Sequence, residues 1–341
     1  MKKNDIFLIL TFFVGLSNVN ATDVSGSITT NTTWTQANSP YVVTGNVSVN
    51  SAITLTVESG VSVRFNSNQG IYVYGTMNAT GAEFTSNLAT KTKGDWDRIQ
   101  VGDGSNAGNV TMNNCNIQYG GKNGYGTFYA YNGNLTLSNS TSVSNSLSAG
   151  VLLDALITVS ISNSSISGCD WPIVFNNSGV LHNISGNNFT GNKHDAAYIN
   201  FYSINSTWNL DYLTIPYVFI SSFTIQNSGV LNIASGNALK CNNWIYVDGV
   251  LKAIAAKNHK IIFTTDKDDN VGGDTNADGV ATVPTRASWG GIYFRVGSIA
   301  AQCVLRRCDV NFGGSGNRGG IVNENASPTI DSCSLDRKSV V

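Results

Sequence analysis

Charged residues are scarce in this sequence. Asp, Glu, Lys and Arg make up 12% of its 341 residues, and the formal net charge is -1. Such a chain has no long-range electrostatic field with which to recruit phosphate backbones or anionic lipids. We therefore expect no nucleic-acid partner.

Proline and helical periodicity are also lacking. The chain has 5 prolines but 35 glycines, so its turns are expected to use Gly, Asn and Asp in left-handed conformations. No window beyond the N-terminal segment places apolar residues at helical spacing. The hydrophobic content of 41% excludes a mostly disordered chain. A folded chain without helical periodicity is expected to be all-β.

Long apolar runs are absent except for a short one near the N-terminus. Lys2 and Lys3 precede an apolar run over residues 6–16, and small residues up to Ala21 follow it. A spanning helix needs about 20 apolar residues, so this run is too short for an anchor. We predict that residues 1–21 form a signal peptide. The mature protein is then expected to be secreted or held at the cell surface, with no membrane span after cleavage.

The sequence is rich in short strand signals that recur in a fixed frame. Apolar residues alternate over a few positions, as in Val61, Val63 and Phe65, and Asn, Gly or Ser bounds each run. The pattern Leu305-x-x-Cys308-x-Val310 returns 25 residues later as Ile330-x-x-Cys333-x-Leu335. A period of about 20 to 25 residues predicts a parallel β-helix of roughly a dozen coils. A barrel or sandwich would not keep this frame at a fixed distance.

Six cysteines in an exported chain suggest a disulfide framework, but their spacing is against one. Three of them share a frame position with small polar residues of other coils; the set is Cys115, Cys308, Cys333, Ser140, Ser164 and Asn187. An inward-facing column of small side chains has this composition, and a thiol packs well in it. We expect buried free thiols. A bridge between Cys308 and Cys333, on adjacent coils about 4.8 Å apart, stays open.

A second, longer repeat divides the chain. Thr33-Trp34 recurs 174 positions later as Thr207-Trp208, and Trp96 recurs 193 positions later as Trp289. We predict one β-helix copy over residues 22–205 and a second over residues 206–341. The second copy stops before it can match residues 149–205, so we expect a truncated chain or a missing C-terminal region.

The repeat offset changes because the second copy carries an acidic insertion at residues 266–288. Five aspartates occur within thirteen positions of this loop, and oxygen ligands at alternate positions before a glycine are typical of calcium loops. The candidate calcium ligands are Asp266, Asp268, Asp269, Asp274, Asn276 and Asp278. Thr285 stands where an EF-hand needs a bidentate glutamate, so no EF-hand is predicted. The alternative is a solvated acidic loop that binds no ion.

Residues 40–47, 55–65 and 288–294 resemble the coils of secreted right-handed parallel β-helix proteins of Bacteroidetes-type bacteria. The resemblance covers most of residues 28–335. It implies the fold and a surface or secreted protein, and many such proteins carry a C-terminal sorting or anchoring domain. In copy 1 the Trp-Gly-Gly-Ile motif of residues 289–292 is altered to Trp96-Asp97-Arg98-Ile99.

No catalytic constellation stands out. His182, His194 and His259 lack the carboxylate setting that polysaccharide hydrolases use. Arg286 or Arg295 could be the base that a lyase needs beside a calcium cluster, but each lies near the acidic loop only in sequence. The alternative to this role as a base is an ordinary ion pair with an aspartate.

Aromatic residues offer a better basis for binding. A cluster in one predicted coil consists of Tyr119, Tyr125, Phe128, Tyr129 and Tyr131. Sugar rings stack on such side chains, and a β-helix face repeats them along a polymer. The register-matched tryptophans are expected to cover coil corners instead; these are Trp34, Trp208, Trp96 and Trp289.

We therefore expect a secreted or cell-surface, non-catalytic β-helix module that engages a polysaccharide, a cell-surface glycan or another surface, with calcium as a structural ion. Two alternatives stay open, namely a polysaccharide lyase or glycoside hydrolase on the same scaffold, and a structural spacer. The fold does not decide among them, because β-helices host all three.

Overall fold

The computed structural model describes residues 21–296 and 298–336. Regular structure in this portion of the chain consists of β-strands and three short 3-10 helices, which confirms the all-β prediction. No helix among the described residues is long and apolar enough to cross a bilayer. The predicted signal peptide lies outside the described residues except for Ala21, and so do residues 337–341 of the predicted second copy.

The strands are short and follow one another at close intervals. The first eighteen are β1 Thr22–Ile28, β2 Thr32–Trp34, β3 Tyr41–Val49, β4 Thr54–Val57, β5 Ser62–Phe65, β6 Ile71–Val73, β7 Thr76–Thr80, β8 Glu83–Ser86, β9 Ile99–Val101, β10 Gly108–Asn113, β11 Asn116–Gln118, β12 Phe128–Ser138, β13 Ser142–Ser144, β14 Ala149–Ser162, β15 Ser165–Ser167, β16 Trp171–Phe175, β17 Leu181–Ser185 and β18 Ala197–Ile199.

The remaining strands are β19 Ser203–Ile204, β20 Thr207–Leu210, β21 Tyr217–Phe219, β22 Phe223–Ile225, β23 Val230–Ile233, β24 Ala238–Cys241, β25 Trp244–Val247, β26 Val250–Ile254, β27 Ile261–Thr264, β28 Gly291–Phe294, β29 Val304–Arg306, β30 Cys308–Val310, β31 Ile321–Asn323, β32 Thr329–Asp331 and β33 Ser334–Leu335. The 3-10 helices are Gln36–Asn38, Lys122–Gly124 and Ala300–Gln302.

Alternation of apolar and polar residues makes these segments strands. In β5, Val63 and Phe65 are buried, whereas Ser62 and Arg64 point outward, because successive side chains of a strand face opposite sides. The chain turns at corners where asparagines adopt positive φ, as Asn114 does at 53°. Asparagine tolerates this left-handed conformation better than other residues with a side chain.

The strands stack in parallel, coil upon coil, with three strands in each turn. One column of paired strands runs the length of the described chain, and we call it the continuous column; its members are β1, β3, β6, β9, β12, β14, β16, β18, β21, β24, β27, β30 and β33. About 13 turns are present, which at about 4.8 Å per coil gives a rod of roughly 60 Å. The predicted parallel β-helix is confirmed, and its right-handedness stays a prediction.

The other two columns change midway along the rod. In the N-terminal half, the first of these columns ends at β17 and the second ends at β15, which a single bridge joins to Asn188. Two separate five-stranded sheets then begin, β19–β22–β25–β28–β31 and β20–β23–β26–β29–β32. Among the described strands, the pairing that crosses this junction is that of β18 with β21, in the continuous column.

Strands that the long repeat equates lie on different faces of the rod. β6 belongs to the continuous column, whereas its repeat equivalent in β25 belongs to a separate sheet. Residues 41–43 of β3 pair with β5 outside that column, whereas their equivalent β21 lies within it. The second half is therefore turned by one face relative to the first. The predicted copy bounds, 22–205 and 206–341, stay predictions.

Side chains join the two halves where strand pairing is missing. The Asp211 carboxylate accepts hydrogen bonds from the His182 ring Nδ1 at 2.9 Å and from the Ile184 backbone N–H at 2.8 Å. The Asp211 carbonyl oxygen accepts from the Tyr217 hydroxyl at 2.9 Å and from the Asn237 amide at 3.0 Å. Asp211, which directly follows β20, thus provides hydrogen-bond partners for polar groups of β17, β21 and the next coil. A buried polar group without such a partner would lower the stability of the fold.

The frame residues form the predicted inward columns. Asp309 pairs with Ser334, which places Cys308 and Cys333 on adjacent coils. All six cysteines are free thiols, and all but Cys333 are buried, which agrees with packing rather than a disulfide framework. The assignment of Ser140 to this column is wrong. Asn116 pairs with Ser142, so Thr141 lies opposite Cys115, because the corner after β12 has one residue more than the corner after β10.

The register-matched tryptophans are buried, as expected. Trp96 and Trp289 are 0% and 1% exposed. The indole N–H of Trp96 donates to the Gln118 carbonyl at 2.7 Å, and that of Trp289 donates to the Asn311 carbonyl, also at 2.7 Å. These side chains fill the coil stack, so they are not available to a ligand.

Candidate functional site

The acidic insertion lies over the outside of the continuous column. It leaves the rod after β27, and its Thr275 carbonyl accepts a hydrogen bond from the His194 ring Nδ1 at 2.8 Å, across 81 positions of sequence. Gly272 lies against the Pro216 ring so closely that a Cβ there would meet a ring carbon at 2.2 Å. The loop therefore reaches back over the junction to residues before β21 and β18.

Lys240 lies buried beneath this loop. It occupies an outward-facing position of β24, opposite Val218 in the neighbouring coil, and its exposed fraction is 0%. Its Nζ donates to the Gly273 carbonyl at 2.6 Å. Burial lowers the pKa of Lys240 to about 8, although the carboxylates of Asp268 and Asp269 favour its charged form. Some of the acidic charge of the loop therefore serves as counter-charge for a lysine.

Sequence reasoning missed Lys240. A lysine at an outward strand position is ordinarily solvated, and its sequence neighbours carry no sign of burial. The relevant signal is the excess of aspartate in a loop that follows one coil later. That signal becomes informative only when the path of the loop over β24 is known.

Three of the predicted calcium ligands come together. Carboxylate oxygens of Asp269, Asp274 and Asp278 all lie within 4.8 Å of one another. Burial and the neighbouring Asp274 raise the pKa of Asp269, as expected for like charges at close range. One oxygen each of Asp269 and Asp278 is buried and has no hydrogen-bond partner in the described structure. The three carboxylates offer hard oxygen ligands to a cation.

The other predicted ligands have different partners. The Asp266 carboxylate accepts from the Asn242 amide at 2.6 Å, and that of Asp268 accepts from the Thr264 hydroxyl at 2.8 Å. Both groups therefore fasten the start of the loop to the rod. The Asn276 amide donates to Asp278 at 2.9 Å and so lies beside the cluster.

A second feature is an aromatic surface on β25 and β28, which we call platform 2; it consists of Trp244, Tyr246, Tyr293, Arg295 and Arg318. Tyr246 and Tyr293 lie opposite each other on adjacent coils, and their ring centroids are 5.9 Å apart. Trp244 lies 6.2 Å from Tyr246 and 5.7 Å from Tyr293 by the same measure. All three rings are half-buried, with their inward neighbours in the core.

Two arginines complete platform 2. The Arg295 guanidinium lies over the Tyr246 ring at 4.5 Å, and that of Arg318 lies over the Tyr293 ring at 4.8 Å. Arg295 is paired with the Asp248 carboxylate through its Nε at 2.7 Å. A groove of about 250 Å³ is lined by the three rings together with Ser315, Gly316 and Arg318.

A related surface, platform 1, lies in the first half and consists of Tyr72, Arg98, Tyr125, Tyr129 and Tyr131. The Arg98 guanidinium is 4.2 Å from the Tyr125 ring centroid and 5.3 Å from that of Tyr72. The Tyr129 ring lies 4.9 Å from Tyr125 and 6.0 Å from Tyr131. Tyr72 is the repeat equivalent of Tyr246, so both halves present a tyrosine beneath an arginine.

Carboxylates hold platform 1 in place. The Tyr72 hydroxyl donates to Asp97 at 2.8 Å, and burial together with this bond raises the pKa of Tyr72 to about 12. The Tyr129 hydroxyl donates to Asp154 at 3.2 Å. Asp97 also pairs with Arg98 at 2.9 Å, so the cation above the rings is neutralised locally.

The predicted aromatic cluster needs a correction. Tyr125, Tyr129 and Tyr131 do form a surface, but Phe128 points inward and is 0% exposed. Tyr119 is itself a corner residue, with a φ of 68°, and its side chain packs against the core. Alternation along β12 explains the difference, because Phe128 lies one position from Tyr129 and faces the opposite side.

Three of the groups considered for catalysis have structural partners. Arg295 is engaged with Asp248 and the Tyr246 ring. His182 is bound to Asp211 at the junction, and His194 stacks on Trp171 with centroids 4.1 Å apart. Each of these groups supports the fold in the described structure.

Comparisons with family models, with curated proteins and with solved structures find no match to this chain. The function must therefore be argued from the two platforms and the acidic loop themselves.

Lys240 yields a prediction about pH. Between pH 8 and pH 10.5 the unfolded chain keeps a proton on Lys240 that the folded chain has lost. The free energy of unfolding should therefore rise with pH in this window relative to a variant without the lysine. Urea unfolding of the wild type and of Lys240→Met, in chelator, measures the difference at each pH. The exposed Lys257 gives the matched control Lys257→Met. A difference in unfolding free energy between wild type and Lys240→Met that does not change with pH would contradict the assignment.

Proposed function

We propose that this protein is an exported, non-catalytic module that binds neutral polysaccharide, with platform 2 as its main site. The in-register pair Tyr246 and Tyr293 carries the proposal. Two aromatic rings on adjacent coils, with Trp244 beside them and a groove along them, offer successive sugar rings the flat apolar faces on which they stack. The predicted signal peptide and the resemblance to secreted β-helix proteins support export and a cell-surface or extracellular place of action.

Charge balance at platform 2 favours a neutral sugar polymer over an acidic one. Arg295 is compensated by Asp248. Glu324 accepts a hydrogen bond from the Tyr293 hydroxyl at 2.8 Å and lies near Arg318. Arginines and carboxylates in such pairs are donors and acceptors for sugar hydroxyls, while the paired charges leave little net attraction for an anion.

Tyr246→Ala and Tyr293→Ala should each weaken polysaccharide binding about tenfold, because loss of one stacking ring costs on the order of 1.4 kcal/mol. Binding is measured by affinity electrophoresis and calorimetry on mixed-linkage glucan, xyloglucan, galactomannan and arabinan, and on the acidic polymers polygalacturonan and alginate. The matched control is Tyr202→Ala, since Tyr202 is 67% exposed and belongs to neither platform. Equal loss in all three variants, or retention of an acidic polymer alone, would contradict the proposal.

The same samples distinguish the alternatives. A reducing-end assay and an ultraviolet assay for unsaturated sugar products detect a hydrolase or a lyase on this scaffold. Product release would establish the enzyme, and retention without cleavage supports the binding module. A protein that neither binds nor cleaves any of the polymers would fit the structural spacer.

We also propose that the acidic insertion takes a calcium ion at Asp269, Asp274 and Asp278, and that the ion stiffens the loop against the rod. Three carboxylates within 4.8 Å repel one another unless a cation lies between them. Lys240 supplies one positive charge beneath the loop, and four of the aspartates act on it. The alternative is the solvated loop without an ion.

Calcium titrated into chelator-treated protein should release or absorb heat and raise the melting temperature, because an ion that binds only the folded state stabilises it. Asp274→Asn and Asp278→Asn should abolish both effects. Asp266→Asn should retain them, because Asp266 is bound to Asn242 outside the cluster. Absence of heat and of a melting shift in the wild type would establish the solvated loop.

A further inference from the structure

The two platforms face different directions. Tyr72 and Tyr129 point outward from β6 and β12, which belong to the continuous column. Tyr246 points outward from β25, the strand that follows β24 of that column within the same turn. Successive strands of one turn lie on different faces of a β-helix. The rotation of the second half by one face therefore separates two surfaces that the sequence repeat would place in line.

The platforms are also separated along the rod. The continuous column proceeds from β12 through β14, β16, β18 and β21 to β24. These five steps, at about 4.8 Å each, give an axial separation of about 24 Å between the coils of Tyr129 and Tyr246. The two sites are thus far enough apart to hold separate polymer chains.

The acidic insertion obstructs a path from one platform to the other. A chain that ran straight along the continuous column from Tyr129 would reach Val218 and then Lys240. Both are buried, with exposed fractions of 1% and 0%, although they point outward. The loop lies above them, as the contacts of Gly273 with Lys240 and of Gly272 with Pro216 show. A stiff polysaccharide on platform 1 therefore meets the loop before it reaches the coil of platform 2.

We infer that one molecule holds two neutral polysaccharide chains, one on each platform, and so bridges them. This inference rests on the proposed function and extends it. The rod between the sites is a continuous ladder of paired strands around a buried core, and Asp211 joins its halves at the junction. Each platform therefore keeps a fixed direction. On a surface that bears many chains, the second contact forms at a high effective concentration, which strengthens retention beyond that of either site.

The test uses beads coated with mixed-linkage glucan, xyloglucan, galactomannan or arabinan. Wild-type protein should cluster the beads that it binds, as measured by light scattering and microscopy. The variants Tyr246→Ala/Tyr293→Ala and Tyr72→Ala/Tyr129→Ala each leave one platform intact. Each should still bind soluble polymer but should cluster beads at least tenfold less than the wild type.

Two further variants keep the test interpretable. Tyr125→Ala removes the 40% exposed ring that lies under Arg98 and leaves the hydrogen bonds of Tyr72 and Tyr129 intact, so it reports on platform 1 if the double variant is unstable. Tyr202→Ala should cluster beads as the wild type does. Melting curves establish that each variant is folded.

The outcomes separate the inference from the function beneath it. Clustering by a single-platform variant at the wild-type level would overturn the inference, since it would show that association of copies through one site suffices. Complete loss of binding in Tyr246→Ala/Tyr293→Ala, with no loss in Tyr72→Ala/Tyr129→Ala, would also overturn it and leave the proposed function standing. The reverse result would contradict both. A wild-type protein that binds none of the polymers would contradict both.

Discussion

The structure depends on the register between adjacent coils. Each inward side chain lies directly above its equivalent in the coil below, and the parallel hydrogen-bond ladder fixes that alignment over about 13 turns. Because side chains alternate between two faces, a shift of one residue would expose a whole row of buried valines and isoleucines. The same constraint that builds the core also builds columns on the outside. One such outward column contains Tyr246 and Tyr293. Another contains Asn209 and Asn232, where the Asn232 amide donates to the Asn209 side-chain oxygen at 2.7 Å.

Local pattern was sufficient to predict the fold. Short alternating runs, a frame that returns after 25 residues and corners rich in Asn and Gly all report local or nearest-neighbour geometry. The free thiols followed from the same frame, and the buried tryptophans followed from the long repeat. The prediction that Ser140 lies in the inward column was wrong because the corner between β12 and β13 has one residue more than the corner between β10 and β11. Counting along the sequence does not show which residue of the longer corner points inward. Thr141 takes the inward position, where its hydroxyl donates to the Ser138 carbonyl at 2.8 Å and accepts from the Cys115 backbone N–H at 3.3 Å.

The candidate sites were less predictable because they depend on contacts between distant coils. The aspartates of the insertion were visible in the sequence. Three of them form a cluster, whereas Asp266 and Asp268 fasten the loop to Asn242 and Thr264, and this difference follows only from the positions of those two partners. Lys240 was invisible for the same reason. The two platforms are related by the repeat, since Tyr72 corresponds to Tyr246. Their different directions follow from the rotation at the junction, which no local pattern encodes. Asp211, which joins the halves there, also lies outside any repeating motif.

The most direct test of this account is the register across the junction. Tyr198 and Val218 are paired outward-facing residues of β18 and β21, and neighbouring strands place their Cα atoms about 4.8 Å apart, within the range that a disulfide spans. The variant Tyr198→Cys/Val218→Cys, oxidised and analysed by peptide mass spectrometry, should form one intramolecular bridge between these two positions. Absence of that bridge in folded protein would contradict the stacking and the rotation on which the account depends. A bridge from either position to one of the six native cysteines would contradict them as well.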